Sequence, residues 1–296
     1  MKPGVMIAGR YRLESKLGDG GMSSVWAAND TQGGDERVAV KLAMPSGVSW
    51  DEFEARFQRE AAIGRYLGKA HGFVRVRECG KHGSRALFLV MDLIDDADEL
   101  DLLNGPLMGR IDRLMRTAER IRDAHALGVV HRDLKPSNVL VRRSDGELFL
   151  ADFGLAKVVS APADEALAHD TLTQSGMTMG TLVYMAPEQM VDAKRAGPAA
   201  DVFALGVMLY VALTGELPFK GKTGEVVSTQ QGLRAGTILP PSPRQSLPNV
   251  PEELDQLCVR CMSGDPEQRP TAGDVVQAFA EAKVLAVKRD APTRRL

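Results

Sequence analysis

Along the first ninety residues the hydrophobic positions fall in short runs, at Tyr11–Lys16, Ser24–Asn29, Arg37–Leu42, Val74–Glu78 and Ala86–Met91. Clusters of Gly, Asn, Asp and Ser separate them, so the runs read as strands joined by turns. One segment breaks this pattern. From about Trp50 to Leu67, Phe53, Phe57, Ala61 and Gly64 recur at spacings of four and three, which predicts a helix. After about residue 100 the helical period takes over. Ile111, Leu114, Met115, Ala118 and Ile121 mark one apolar face, and Val275, Val276, Phe279 and Ala280 mark another. Val202–Leu213 is apolar all round and predicts a helix buried on every side. Residues 158–183 show no period and read as a long loop. The proline-rich stretch Pro240–Pro251 reads as a surface connection, and the residues after Val287 as unstructured. The fold class that results is α+β: a small β-sheet lobe with one key helix, followed by a larger, mainly helical lobe. Clefts between such lobes are favoured ligand sites.

Composition narrows the class without naming a chemistry. The 296 residues are 44% hydrophobic and 26% charged, enough for sizeable cores beneath a polar surface. Lys and Arg number 37 against 39 Asp and Glu, a net charge of −2. That balance argues against a dedicated nucleic-acid or membrane-surface protein. Three cysteines do not make a disulfide framework and suit a reducing compartment. The amino-terminal residues lack the apolar centre of a signal peptide. The longest apolar run, Val202–Leu213, is shorter than the roughly 20 residues that a bilayer span needs. The expectation is a soluble intracellular protein of two parts.

Two charges sit in awkward places. The period-2 pattern puts Val38, Val40 and Leu42 on one face of a strand, leaving Lys41 on the other beside Ala39. In the helix that follows, Glu60 lies within the stripe of Phe53, Phe57, Gly64 and Leu67. A carboxylate buried there needs a partner, and pairing Lys41 with Glu60 relieves both. The alternative is that each snorkels to the rim. Upstream, the glycines of Leu17–Val25 would let backbone amides approach phosphate oxygens, although a plain hairpin turn has the same composition. The loop lacks the G-K-[ST] ending of a P-loop and the helix that a dinucleotide fingerprint requires.

The richest stretch is Val129–Val141, containing His131-Arg132-Asp133-Leu134-Lys135-Pro136-Ser137-Asn138, followed by Leu148–Gly154 with Asp152-Phe153-Gly154. Apolar strand-like runs flank both polar clusters. Asn138 and Asp152 are hard oxygen ligands of the kind Mg²⁺ prefers, and Asp133 is then free to accept a proton from a hydroxyl.

With these residues in view, the chain resembles a eukaryotic-like, bacterial-type serine/threonine protein kinase catalytic domain over about residues 10–287. The resemblance implies one kinase domain across 1–296, with an N-lobe at 10–91, a hinge at 92–96, a C-lobe at 97–287 and a basic tail at 288–296. It implies ATP contacts from Leu17, Gly18, Gly20, Gly21, Val25, Ala39, Lys41, Met91, Asp92 and Ile94, with Glu60 orienting Lys41. The third glycine of the family's loop is Ser23 here. Asp133 would deprotonate the substrate hydroxyl, Lys135 would neutralise the γ-phosphate, and Asn138 and Asp152 would hold Mg²⁺, with Mn²⁺ as a substitute. Gly180–Glu188 resembles the end of an activation segment, with Arg269 as the partner of Glu188 and Asp201 as the anchor of the catalytic loop. Lys135 and Thr181 match the serine/threonine-directed subset.

The implied substrates are serine and threonine hydroxyls of proteins. Partners would include a second copy for trans-autophosphorylation, and neither nucleic acid nor a membrane span belongs to the expectation. The location would be cytoplasmic, in a free protein or as the cytoplasmic part of a larger membrane-anchored one. Regulation would run through Thr171, Thr173 or Thr178, whose phosphate Arg132 would receive. A catalytically silent scaffold and a small-molecule phosphotransferase are the competing classes. The acidic run Asp92–Asp101 reads as a solvated helix start, Cys258 and Cys261 as part of a core helix, and His131 as a structural member of its loop.

Overall fold

The computed structural model describes residues 1–19, 23–45, 49–83, 86–153, 157–158, 182–192 and 196–290. Gly20, Gly21, Thr171, Thr173, Thr178 and Thr181 lie outside the described residues. The chain divides into two compact units, Met1–Asp98 with Leu140–Thr178, and Glu99–Val139 with Met179–Leu296.

In the first unit an antiparallel six-stranded sheet forms from β1 (Met6–Ile7), β2 (Tyr11–Asp19), β3 (Ser23–Asp30), β4 (Glu36–Ala43), β5 (Val76–His82) and β6 (Ala86–Asp92). The spatial order is β1-β2-β3-β4-β6-β5. Alternation along β4 sorts its side chains as the period predicts. Val38, Val40 and Leu42 join Ile7, Tyr11, Leu13, Trp26, Phe88 and Val90 in one core cluster. Ala43 faces the other way and packs with Leu87, Leu89, Val76 and the helix residues Phe57 and Ala61. That helix, α1, spans Trp50–Leu67, and Ser49 caps it by accepting from the Glu52 N–H. Gly64 sets how close α1 comes to the sheet, because a Cβ there would lie 2.3 Å from Val76 Cγ2. Any larger residue pushes the helix, and Glu60 with it, off the strand that carries Lys41.

Leu140–Thr178 groups with this first unit. The cause is backbone pairing. Val74 N–H donates to Leu150 O, and Leu150 N–H donates to Gly72 O, both at 2.9 Å. Strand β10 (Leu148–Leu150) is thereby tied to the loop after α1, and the rings of Phe73 and Phe153 lie 6.1 Å apart just beyond it.

The acidic run does not begin a helix. Ala97–Glu99 forms a short strand, β7, and the next helix, α2, starts only at Leu107 and ends at Ala126. Arginines distant in sequence take up the carboxylates instead. Arg77 donates to Asp92 at 2.5 Å, Arg37 pairs with Asp95, and Arg143 reaches Asp96 at 2.9 Å and Asp98 at 2.6 Å. Asp101 accepts from the N–H groups of Leu103 and Asn104, which turns the chain toward α2.

The second unit is built around α4 (Ala199–Thr214), whose residues from Ala200 to Leu213 are all buried. Before it come α2, β8 (Val129–Val130), a 3₁₀ turn at Pro136–Asn138 and α3 (Gln189–Asp192), while β9 (Val139–Arg142) lies in the first unit from Leu140 on. After it come α5 (Thr223–Arg234), a single turn α6 at Pro243–Ser246, α7 (Glu252–Cys261) and α8 (Ala272–Asp290). The helical backbone of α8 thus runs three residues past Val287. A Cβ on Gly206 would come 2.6 Å from Cys261 Cβ, so α7 lies directly on α4. Cys258 Sγ donates to Gly206 O at 3.4 Å, and burial pushes the Cys261 thiol up to about 12. All three cysteines are free thiols. No group of metal-ligating His, Cys, Asp or Glu is found among the described residues.

Candidate active site

Strand β4 pairs with β3 and β6 so that Lys41 lies between Val25 and Leu89. On the α1 side of the sheet its Nζ donates to Glu60 Oε1 at 2.7 Å and to Asp152 Oδ1 at 2.8 Å. Burial would lower the Lys41 pKa, but the charges of Asp152 and Glu60 outweigh it and hold the ammonium protonated. Burial pushes the Glu60 carboxyl up, Lys41 opposes that, and the Asp152 charge adds to it. One ammonium therefore serves two carboxylates, an arrangement suited to an extra cation at Asp152. Asp152 sits at φ +59°, in the left-handed region that Asp and Asn tolerate best among residues other than glycine. Leu17, Gly18, Val25, Ala39, Met91, Asp92 and Ile94 belong to this same unit, with Ala39 buried in β4 and Met91 partly buried at the end of β6.

The second unit carries the other cluster. Asp133 Oδ2 accepts from Lys135 Nζ at 2.8 Å and from Asn138 Nδ2 at 3.1 Å, and Asn138 Nδ2 also donates to Asp133 O at 2.7 Å. These bonds use the nitrogen of the Asn138 amide, which leaves its oxygen as the metal-seeking atom. The Asn138 amide oxygen and the Asp152 carboxylate are each, within their own unit, a hard donor of the kind that a divalent cation of the Mg²⁺ type takes.

The loop is held from behind by Asp201, which is 1% exposed. Its carboxylate accepts from His131 N–H at 2.9 Å and Arg132 N–H at 2.8 Å, with His125 Nε2 also at 2.8 Å. His131 is wholly buried and its Nδ1 accepts from Asp133 N–H, so it braces the loop. Burial works to raise the Asp201 pKa, but His125, the nearby His131 and the Arg132 N–H hold it below the usual carboxylate range. Its folded value thus lies below the unfolded value of about 4. The stability it contributes is present above that pH and lost as pH falls through the folded value. The melting temperatures of wild type and Asp201→Asn are accordingly expected to converge below about pH 4. A gap independent of pH would contradict this.

Arg132 adopts φ +65°, a strained conformation costing about 1–3 kcal/mol, and its guanidinium donates to Ala196 O. Burial pulls the guanidinium below its ordinary value, so an added anion there would be favoured. Arg269 Nη1 and Nη2 grip Glu188 at 2.7 and 2.9 Å, while its other donors reach Ser263 O and Ala199 O and its plane lies over Phe203. The Arg269 side chain is fully buried. Removing it strands Glu188 and two carbonyls, so Arg269→Ala is expected to lose about 3–5 kcal/mol of stability in urea unfolding. A loss under about 1 kcal/mol, as for a surface pair, would contradict that.

Gln189 escaped the sequence reading. It is 2% exposed and bonded to both Arg132 O and Ala186 N. A glutamine directly after Ala186-Pro187-Glu188 carries no periodic signal, and nothing in its neighbours marks it as buried.

Comparison with known proteins aligns with this geometry. The family model described as "Protein kinase domain" matches residues 11–279. The serine/threonine-protein kinase PknA of Mycobacterium tuberculosis is 36% identical over 293 residues, covering 96% of this chain and 63% of that protein. PknE of Mycobacterium bovis is 37% identical over 290 residues, covering 96% and 48%. The chain thus spans less than two thirds of the length of these relatives. Among solved structures, the PknI kinase domain of Mycobacterium tuberculosis superposes with a TM-score of 0.68 at 23% identity, covering 95% of this chain and 99% of that one.

Proposed function

Because the chain belongs to the protein kinase domain family, whose members use ATP and a divalent metal, we propose that it transfers the ATP γ-phosphate to serine and threonine hydroxyls of proteins. The observation that carries this reading is the cluster of Lys135 and Asn138 on the Asp133 carboxylate. Phosphoryl transfer asks a protein for position and charge more than for covalent chemistry. Asp133 accepts the proton of the attacking hydroxyl. Lys135, already beside it, offsets charge on the γ-phosphoryl oxygens. Lys41, steered by Glu60, binds the α- and β-phosphates, and Gly18, Gly20 and Gly21 would lend backbone N–H groups to them. Leu17, Val25, Ala39 and Met91 surround the adenine, with Asp92 and Ile94 offering hinge contacts within 92–96. Mg²⁺, or Mn²⁺ in its place, would be held by Asn138 and Asp152 and would supply charge neutralisation on the phosphates.

Protein substrates, rather than small molecules, are supported by the Glu188–Arg269 lock on the Ala186-Pro187-Glu188 segment. Autophosphorylation on Thr171, Thr173 or Thr178, in trans between two copies, is part of the same proposal, with Arg132 as the residue that would receive the phosphate. A cytoplasmic location is supported by the three free thiols. Among the described residues no helix is long and apolar enough to cross a membrane. The test is incubation with γ-labelled ATP and Mg²⁺, with and without a generic protein substrate. Acid-stable label recovered as phosphoserine and phosphothreonine is the expected result. Label found only in a small molecule, or only as inorganic phosphate, would overturn the reading.

A further inference from the structure

Arg132 is the residue before the proposed base, and its backbone is clamped at both ends. Its left-handed conformation turns the N–H toward Asp201 Oδ1, at 2.8 Å, and leaves its carbonyl to be satisfied from elsewhere. Gln189 Nε2 supplies that bond at 2.8 Å. The same side chain accepts the Ala186 N–H on Oε1 at 2.9 Å. The two partners fix which end of the amide is which, since a carbonyl needs the nitrogen and an N–H needs the oxygen. Gln189, Ala186 and Arg132 are all buried, at 2%, 0% and 9% exposure, so water does not replace these bonds. The backbone of Gln189 is itself fixed, because its N–H donates to Ala186 O at 2.9 Å and the preceding residue, Glu188, is gripped by Arg269.

We propose that Gln189 is a positioning residue that sets the register between the Asp133 loop and the Ala186-Pro187-Glu188 segment on which a protein substrate rests. The proposal rests on the protein-kinase reading above and deepens it. A covalent and hydrogen-bonded path runs from Arg269 through Glu188 and Gln189 to the Arg132 carbonyl and so to Asp133. Asp201 holds the loop to the core of the unit; Gln189 holds it to the substrate platform. Loss of the second tie leaves two buried backbone groups unpaired and lets the platform drift relative to the base. A displacement of about 1 Å at a reacting group costs up to about 100-fold in rate. Water attacking ATP needs no platform, so the drift separates two reactions that an intact clamp keeps in step.

The experiment compares wild type with Gln189→Met, which keeps length and loses both bonds, and Gln189→Glu, which keeps only the acceptor for Ala186. For each, peptide phosphorylation and peptide-independent ATP hydrolysis are measured with Mg²⁺, together with peptide and ATP KM. In Gln189→Met the ratio of transfer to hydrolysis is expected to fall about tenfold or more, with peptide KM raised and ATP KM little changed. Gln189→Glu is expected to fall between the two and serves as the comparison if the methionine variant does not fold. A purely structural role would lower both reactions together, and a ratio within twofold of wild type would overturn the proposal. Hydrogen exchange at the Ala186 amide gives a second reading that needs no turnover. Faster exchange in either variant supports the clamp, and unchanged exchange refutes it. If wild type itself labels no protein, the kinase reading fails on its own while the exchange data still decide the role of Gln189.

Discussion

Asp133→Asn is expected to lower phosphoryl transfer to protein by about 10²–10⁴-fold, the usual worth of a positioned general base, while ATP KM stays near the wild-type value. The side chain keeps its volume and one oxygen, so the 2.8 Å contact from Lys135 survives in some form. What disappears is the capacity to take a proton. With the retained oxygen in the Oδ2 position, the donors Lys135 and Asn138 keep an acceptor. The loop itself stays in place, because Asp201 holds His131 and Arg132 through their backbone and not through Asp133. The measurement is kcat and KM for a peptide substrate, with circular dichroism to show an unchanged fold. Turnover within tenfold of wild type would remove Asp133 from the role of base.

Asp152→Asn is expected to abolish measurable turnover and leave the fold intact. Asp152 would act on the transferring phosphoryl through the cation it holds, and loss of one such charge-stabilising contact costs about 10²–10³-fold. Folding should be spared for two reasons. The amide oxygen can still accept from Lys41, which retains Glu60 at 2.7 Å. Asparagine also tolerates the left-handed φ of +59° at this position as well as aspartate does. ATP affinity measured with and without Mg²⁺ separates the causes. In wild type the metal should strengthen binding, and in the variant that gain should vanish. Measurable turnover in Asp152→Asn would end its assignment as a metal ligand.

Much of this arrangement was legible because local period and local chemistry agreed. Lys41 stands out as the charge on the α1 face of β4, and Glu60 as the carboxylate in the apolar stripe of α1; a strand and its next helix are enough to bring them together. Asp133, Lys135 and Asn138 lie within six residues, so a single turn suffices to cluster them. The Glu188–Arg269 pair was accessible only through resemblance, because 81 residues separate its members and no local pattern links them. The acidic run misled for the same physical reason. Read alone, Asp92–Asp101 suits a helix start, but its partners Arg37 and Arg143 come from 58 and 45 residues away, and they hold the chain in turns and a strand. Helix α5 was missed because its buried stripe of Val226, Gln230 and Leu233 is interrupted by a polar residue. Gln189 was missed because the distinction between a surface glutamine and a buried bridge is made entirely by tertiary packing.

The transfer reaction itself is tested most directly with four peptides identical except for Ser, Thr, Tyr or Ala at one acceptor position. Each is incubated with the wild-type chain, γ-labelled ATP and Mg²⁺, beside Asp133→Asn as control, and the label is located by mass spectrometry. The expected result is one phosphoryl group on the Ser and Thr peptides, none on the Ala peptide, little on Tyr, and near-complete loss in the control. Label on Tyr alone, equal labelling by Asp133→Asn, or no peptide labelling by a folded wild-type protein would contradict a serine/threonine kinase.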